Sequence, residues 1–205
     1  MCYHTKLTAP KEAIEKEFDA EFYEPELFQP KEAINGFAYS KNPVILDEDR
    51  SHISMANWGL IPFWAKDDGI KKMTLNSRIE TAASKAAFRN SVKNRCLIIA
   101  DAFYEWQWLD AKGKNKQKYI IQPTDQEIFG FAGFYSEWTN PDSGENLTTY
   151  TIATTEANEL MAEIHNNKKR MPIILKKEDR NSWLSGETLE SFQFPYSINL
   201  KAEPI

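Results

Sequence analysis

The run Cys96-Leu97-Ile98-Ile99-Ala100 limits the possible folds more than any other stretch of this chain. Five consecutive apolar residues with no polar alternation read as a buried strand. Phe103 to Trp108 follows as a second strand after a short turn, and a Lys/Gly turn then leads to strands near 117–122, 127–135 and 147–154. Upstream, short strands are expected at 2–8, 36–40, 43–47 and 52–60, punctuated by Asn42-Pro43 and the acidic turn Asp47-Glu48-Asp49. Pro172 to Leu175 reads as the last strand. Helices are few. One is expected near 10–20, where Pro10 precedes Ile14, Phe18 and Phe22 at four-residue intervals. Another falls within 77–93, from about 84, packing through Ala86, Ala87, Phe88 and Val92. The remaining two are 156–164, carrying Leu160, Met161 and Ile164, and Glu178 to Leu184. Many strands, scattered helices and no regular βαβ alternation predict an α+β fold on an antiparallel, barrel-like sheet. No Pro/Gly/Ser-rich linker divides the 205 residues, so a single domain over 1–205 is expected.

Several function classes are disfavoured at the outset. No stretch approaches the ~20 apolar residues that span a bilayer. The first residues lack the basic-then-apolar order of a signal peptide. The two cysteines, Cys2 and Cys96, form no Cys-x-x-Cys pair, which argues for a reducing compartment, the cytoplasm, and against a disulfide framework or zinc site. With His4, His52 and His165 as the three histidines, no metal-ligand spacing emerges, and neither metal nor cofactor is expected. The net charge of −5 is unevenly spread: residues 1–50 hold eleven acids against six bases. The stretch 66–95 reverses the sign, with eight bases (Lys66, Lys71, Lys72, Arg78, Lys85, Arg89, Lys93, Arg95) against three acids. A local basic surface on an acidic protein can still bind a phosphate backbone. The lysines at 112–118 read instead as solvated loop charges.

Four stretches carry polar groups in apolar settings, and the second residue is a thiol. If the initiator methionine is trimmed, Cys2 presents an α-amine (reference pKa ~8) beside a thiol (~8.5), both partly nucleophilic at neutral pH. A 1,2-aminothiol reacts with an aldehyde through a Schiff base that closes to a thiazolidine. Asn76 and Arg78 alternate before a helix and point the same way if the backbone is extended. Glu105 sits between Tyr104 and Trp106, where desolvation raises a carboxyl pKa and suits it to proton transfer. His165 ends a helix, where the dipole favours its protonated form. The aromatic segment Trp58-Gly59-Leu60-Ile61-Pro62-Phe63-Trp64 is either core or a surface that stacks on bases. Cys96, inside its apolar run, is a small core residue.

Taken in order, these motifs resemble the SOS response-associated peptidase (SRAP) family, whose members are also described as abasic-site processing proteins. The resemblance rests on Met1-Cys2, Trp58-Gly59-Leu60-Ile61-Pro62-x-Trp64, Asn76-x-Arg78-x-Glu80-Thr81, Arg95-Cys96-Leu97-Ile98-x-Ala100-Asp101-x-Phe103-Tyr104-Glu105-Trp106, and Ile164-His165 before Arg170-Met171-Pro172. These cover residues 2 to about 184. The resemblance implies that Cys2 crosslinks to abasic sites in single-stranded DNA as a thiazolidine that shields the lesion, with an associated lyase activity and self-removal of Met1. It further implies that Asn76 holds the N-terminal residue or the opened sugar, and that Glu105 moves protons during Schiff-base formation and ring closure. His165 would assist sugar-ring opening and crosslink reversal. Arg78 would bind phosphate, and Trp58 to Trp64 would wedge or stack bases, with Lys66, His4 and Arg170 as further DNA contacts. A monomer suffices for such chemistry.

Two departures are specific to this chain. The family usually begins Cys-Gly-Arg, whereas Tyr3 and His4 follow Cys2 here, replacing a guanidinium with an imidazole. The family tends to place Arg-Met-Pro almost directly after the histidine, whereas Asn166 to Lys169 intervene here and make that loop longer and more basic. Two competing readings stay open. One is an N-terminal-nucleophile cysteine peptidase or amidase, with the α-amine as base for the Cys2 thiol. The other is a noncatalytic single-strand-binding module.

Overall fold

The computed structural model describes residues 2–205; Met1, and with it the expectation that it is removed, lies outside the described residues. In chain order the elements are β1 (His4–Leu7), α1 (Lys11–Phe18), β2 (Glu21–Phe22), β3 (Lys31–Asn35), β4 (Lys41–Leu46), β5 (Asp49–Trp58) and β6 (Asn76–Arg78). They continue as α2 (Ile79–Ala82), β7 (Arg95–Ala100), β8 (Ala102–Trp108), β9 (Lys116–Pro123), β10 (Phe129–Thr139) and β11 (Asn146–Glu156). The chain ends with α3 (Glu159–Ile164), β12 (Arg170–Pro172), α4 (Arg180–Leu184) and β13 (Leu200–Pro204).

The apolar run that constrained the fold is β7, and every one of its residues is buried. It pairs antiparallel with β10 on one side and β4 on the other. The order β11-β10-β7-β4-β5 closes into a five-stranded barrel because β5 also pairs with β11, in parallel, through Asn57↔Thr149 and Trp58↔Tyr150. Closure removes the open edges, and the barrel strands bury Val44, Ile53, Phe131, Phe134 and Ile152, each essentially inaccessible, on their inner and outer faces. Burying each such side chain contributes roughly 1.5–3 kcal/mol. The walls approach so closely that a Cβ at Gly133 would sit 2.2 Å from Ile98 Cδ1 and 2.7 Å from the Thr151 carbonyl oxygen. A second sheet, ordered β13-β9-β8-β1-β3, packs beside the barrel. The α+β, barrel-like expectation therefore holds.

Details differ where long-range contacts decide. The strand expected at 36–40 lies earlier, as β3, because the Asn35 side chain accepts from Phe37 N and turns Gly36–Ala38 into a 3-10 turn. No helix runs from about 84. Residues 84–94 form successive turns, with Phe88 N donating to Lys85 O and Ser91 N to Phe88 O. Ala86 is exposed and Phe88 is the buried apolar contact, so a continuous apolar stripe is missing. Arg95, counted with the basic stretch, is buried: its guanidinium lies 4.5 Å from the Trp183 ring and donates to the Trp183 carbonyl. Nor is 172–175 the last strand, since β13 pairs with β9 from Leu200↔Pro123 to Pro204↔Tyr119.

Candidate active site

The site forms where β1 begins, and three elements converge on that point. β8 lies antiparallel beside β1, with His4 opposite Tyr104 and Thr5 opposite Phe103. β6 is held on β11 with Asn76 opposite Ile152. α3 packs against β8, where Gln107 Nε2 donates to the Glu163 carbonyl at 3.2 Å. Strand alternation places Phe103, Glu105 and Gln107 on one face of β8, and Tyr104, Trp106 and Trp108 on the other.

Cys2 is fully buried. Its thiol is directed at the His4 carbonyl oxygen at 3.7 Å, and its own carbonyl accepts from Asn76 Nδ2 at 2.8 Å. Burial, reinforced by the Glu105 carboxylate, pushes the thiol pKa well up, so the resting group is protonated. Glu105 is 5% exposed, and burial raises its pKa from 4.5 to about 7. A carboxyl at that value can both give and take a proton near neutrality.

His165 is 6% exposed and caps the C-terminal end of α3. The expected helix-dipole effect does not win. A dipole interaction is worth roughly 0.3–1 kcal/mol at such an end, and burial is the stronger influence, lowering the pKa to about 4. The ring is therefore neutral at pH 7. Its Nδ1 lies 2.9 Å from the Arg170 carbonyl oxygen and 3.2 Å from the Arg170 amide nitrogen, so the Arg170 backbone fixes its orientation.

The DNA-contact expectations divide into two groups. Arg78 is exposed, on the opposite side of β6 from the buried Ser77 and on the side of Asn76. Lys66 is exposed. Trp64 is 46% exposed and Phe63, which motif reasoning did not single out, is 65% exposed. Trp58 is instead a core residue, 1% exposed; its indole N–H donates to the Leu75 carbonyl at 2.8 Å and its ring stacks on Tyr150. It cannot stack on a base. Gly59, at φ +118, makes the turn that leaves Trp58 inside while the chain runs out to Phe63 and Trp64.

Arg170 is likewise committed within the protein. It donates to both Glu80 carboxylate oxygens, at 2.9 and 2.8 Å, and to the Thr154 carbonyl. Its guanidinium ties β12 to α2 instead of facing solvent phosphate. His4 is half-buried and meets Trp106 edge-on at 4.9 Å. Lys118 lies 4.1 Å from the Tyr104 ring centroid and 5.8 Å from that of Trp106, and Lys116 lies 5.5 Å from that of Trp108. These two lysines sit on β9 over aromatic rings, not in a solvated loop.

Comparison with known proteins agrees with this architecture. The family described as SOS response associated peptidase (SRAP) matches the chain over residues 1–203. Abasic site processing protein YoqW of Bacillus subtilis is 40% identical over 76% of this chain and 70% of its own length. Abasic site processing protein YoaM of the same organism is 38% identical over 97% of this chain and 88% of its own. A crystal structure of a protein from Bacteroides thetaiotaomicron superposes with a TM-score of 0.90 at 29% identity, covering 100% of this chain and 92% of that one. The chain belongs to the SOS response associated peptidase (SRAP) family.

Proposed function

We propose that this protein processes abasic sites in single-stranded DNA by capturing them covalently on Cys2. The observation that carries the reading is the buried Cys2, held through its carbonyl by Asn76 and lying within the electrostatic reach of the Glu105 carboxyl, whose pKa is about 7. The names of the relatives point the same way.

With Met1 attached, the Cys2 nitrogen is an amide and unreactive; its removal exposes the α-amine. That amine adds to the C1′ aldehyde of the ring-opened deoxyribose, giving a carbinolamine. Glu105, in its protonated form, delivers a proton to the departing hydroxyl, so water leaves and an iminium remains. The Cys2 thiol then adds to the iminium carbon. Its proton passes to the Glu105 carboxylate, and the nitrogen keeps its lone pair in the closed thiazolidine. Net, one aldehyde and one aminothiol give one thiazolidine and one water. A protonated resting thiol suits this order, because the base is present where the proton must go. Neutral His165 accepts the C1′ hydroxyl proton as the furanose C1′–O4′ bond breaks and delivers it to O4′, so the aldehyde and the 4′-hydroxyl form together; the reverse transfer closes the ring. The iminium also acidifies the adjacent sugar carbon, which is the route to strand cleavage by β-elimination. Arg78 and Lys66 bind flanking phosphates, and Phe63 and Trp64 stack on bases.

The test is incubation with an oligonucleotide carrying one abasic site, followed by denaturing electrophoresis and intact-protein mass. The expected result is a denaturation-resistant adduct on protein lacking Met1, absent with Cys2→Ala and slowed with Asn76→Ala. An adduct indifferent to Cys2 overturns the reading, and acyl transfer to a peptide with no DNA adduct favours a peptidase.

A further inference from the structure

The four residues Asn166 to Lys169 follow His165 directly, and the structure gives them a defined place. Asn166 behaves as an extra strand residue against the end of β8: its Oδ1 accepts from the Trp108 amide at 3.1 Å and its Nδ2 donates to the Trp108 carbonyl at 2.9 Å. Lys169 adopts a left-handed backbone, φ 49, and its amide and that of Lys168 donate back to the His165 carbonyl. The segment is therefore a built loop, clamped at both ends.

Opposite it stands the hairpin of residues 109–115 between β8 and β9. Asp110 closes that hairpin by accepting from the amides of Lys112, Lys114 and Asn115, so its charge is spent on the turn. Between the hairpin and the loop lies a concavity of about 510 Å³, lined by Trp108, Leu109, Asp110, Ala111, Asn166 and Asn167. Leu109 is 62% exposed there, an apolar side chain with no cover. Exposed lysines neighbour its lining residues in sequence: Lys168 and Lys169 on the loop, Lys112 and Lys114 on the hairpin. Trp108 is three residues along β8 from Glu105, roughly 10 Å at the rise of a strand, with its side chain on the opposite face. Asn166, which lines the groove, directly follows His165, so the groove meets the site through that loop, with apolar side chains in its lining and lysines beside it in sequence, the complement of a base and its phosphate.

We infer that this groove is a subsite for a nucleotide flanking the lesion in single-stranded DNA, its base against Leu109 and its phosphate on Lys168 and Lys169. The inference rests on the proposed abasic-site function and adds to it a side preference: one flank is gripped by a loop that the usual family spacing lacks.

The experiment measures equilibrium binding of oligonucleotides with a tetrahydrofuran abasic analogue, which cannot crosslink, while lengthening either flank from one to three nucleotides. The expected result is that one flank strengthens binding to the unmodified protein, and that Lys168→Ala/Lys169→Ala removes this gain. For that flank, the dependence of log affinity on log salt should become shallower by about 0.7, from the one phosphate contact on a single strand. Leu109→Ala should weaken the same flank without changing the salt slope. Two outcomes overturn the inference: the lysine variant binds every oligonucleotide as the unmodified protein does, or it loses affinity equally for both flanks. Crosslinking of a true abasic oligonucleotide by unmodified protein is scored separately. If it fails while the one-sided flank effect persists, the groove stands and the Cys2 chemistry falls.

Discussion

Replacing Glu105 with Gln separates function from stability in opposite directions, and the burial of this carboxyl sets both magnitudes. Glu105 titrates at about 7 in the folded chain against 4.5 unfolded. A carboxyl whose pKa rises on folding contributes stability that is full below pH 4.5 and is lost as pH climbs through 7. Integrating the two titrations, the ionised Glu105 costs the fold about 3 kcal/mol at pH 8 but only about 1 kcal/mol at pH 5. Gln has nearly the same shape and carries no charge to desolvate. Glu105→Gln should therefore raise unfolding free energy more at pH 8 than at pH 5, by about 2 kcal/mol. Urea unfolding of both proteins at the two pH values reads this directly, because other titrating groups cancel in the difference. The crosslinking rate should move the other way, falling by about 10²–10⁴ as acid–base catalysis is lost. Its pH dependence near 7 should disappear as well. An equal stability change at pH 5 and pH 8 would refute the claim that burial raises this pKa. Retention of the rate and its pH profile would remove Glu105 from proton transfer.

Three further contrasts follow from the site. Trp58→Phe should destabilise the fold by about 1–3 kcal/mol, because the Leu75 carbonyl loses its buried donor; thermal melts with Trp64→Ala as control, expected within about 0.5 kcal/mol, check this. Conversely, Trp64→Ala should weaken single-stranded DNA binding by about 1–3 kcal/mol as one stacking surface is lost. Arg170→Leu should lower stability by about 1–2 kcal/mol by stranding Glu80, yet leave the salt dependence of DNA binding unchanged. Arg78→Ala should make that dependence shallower by about 0.7, so salt titrations of the two variants distinguish a scaffold arginine from a phosphate ligand. His165, with its pKa lowered from 6.5 to about 4, contributes stability present above pH 6.5 and lost as pH falls towards 4. His165→Gln should flatten the loss of stability on acidification, measured by urea unfolding between pH 7 and pH 4.

What the sequence by itself determined was local. A continuous apolar run such as Cys96 to Ala100 can satisfy its surroundings only as a buried strand, so the sheet core was legible. Glu105 was legible as a candidate from its place between Tyr104 and Trp106, but strand alternation turns those rings to the other face, so its burial came from what packs on its own side. The aminothiol at Cys2 and the alternation of Asn76 with Arg78 are likewise properties of adjacent residues. Only the tertiary structure decided what depends on partners far along the chain. Strand β13 exists because β9, nearly eighty residues earlier, offers it hydrogen bonds. Trp58 and Trp64 are chemically alike, and the turn at Gly59 with the Leu75 carbonyl makes one core and the other surface. Arg170 reads as a free cation until Glu80 is placed beside it. His165 looked poised to be charged, and the depth of its burial keeps it neutral. Periodicity and propensity act over a turn or a strand pair, whereas burial and ion pairing are set by which distant segments the closed barrel brings together.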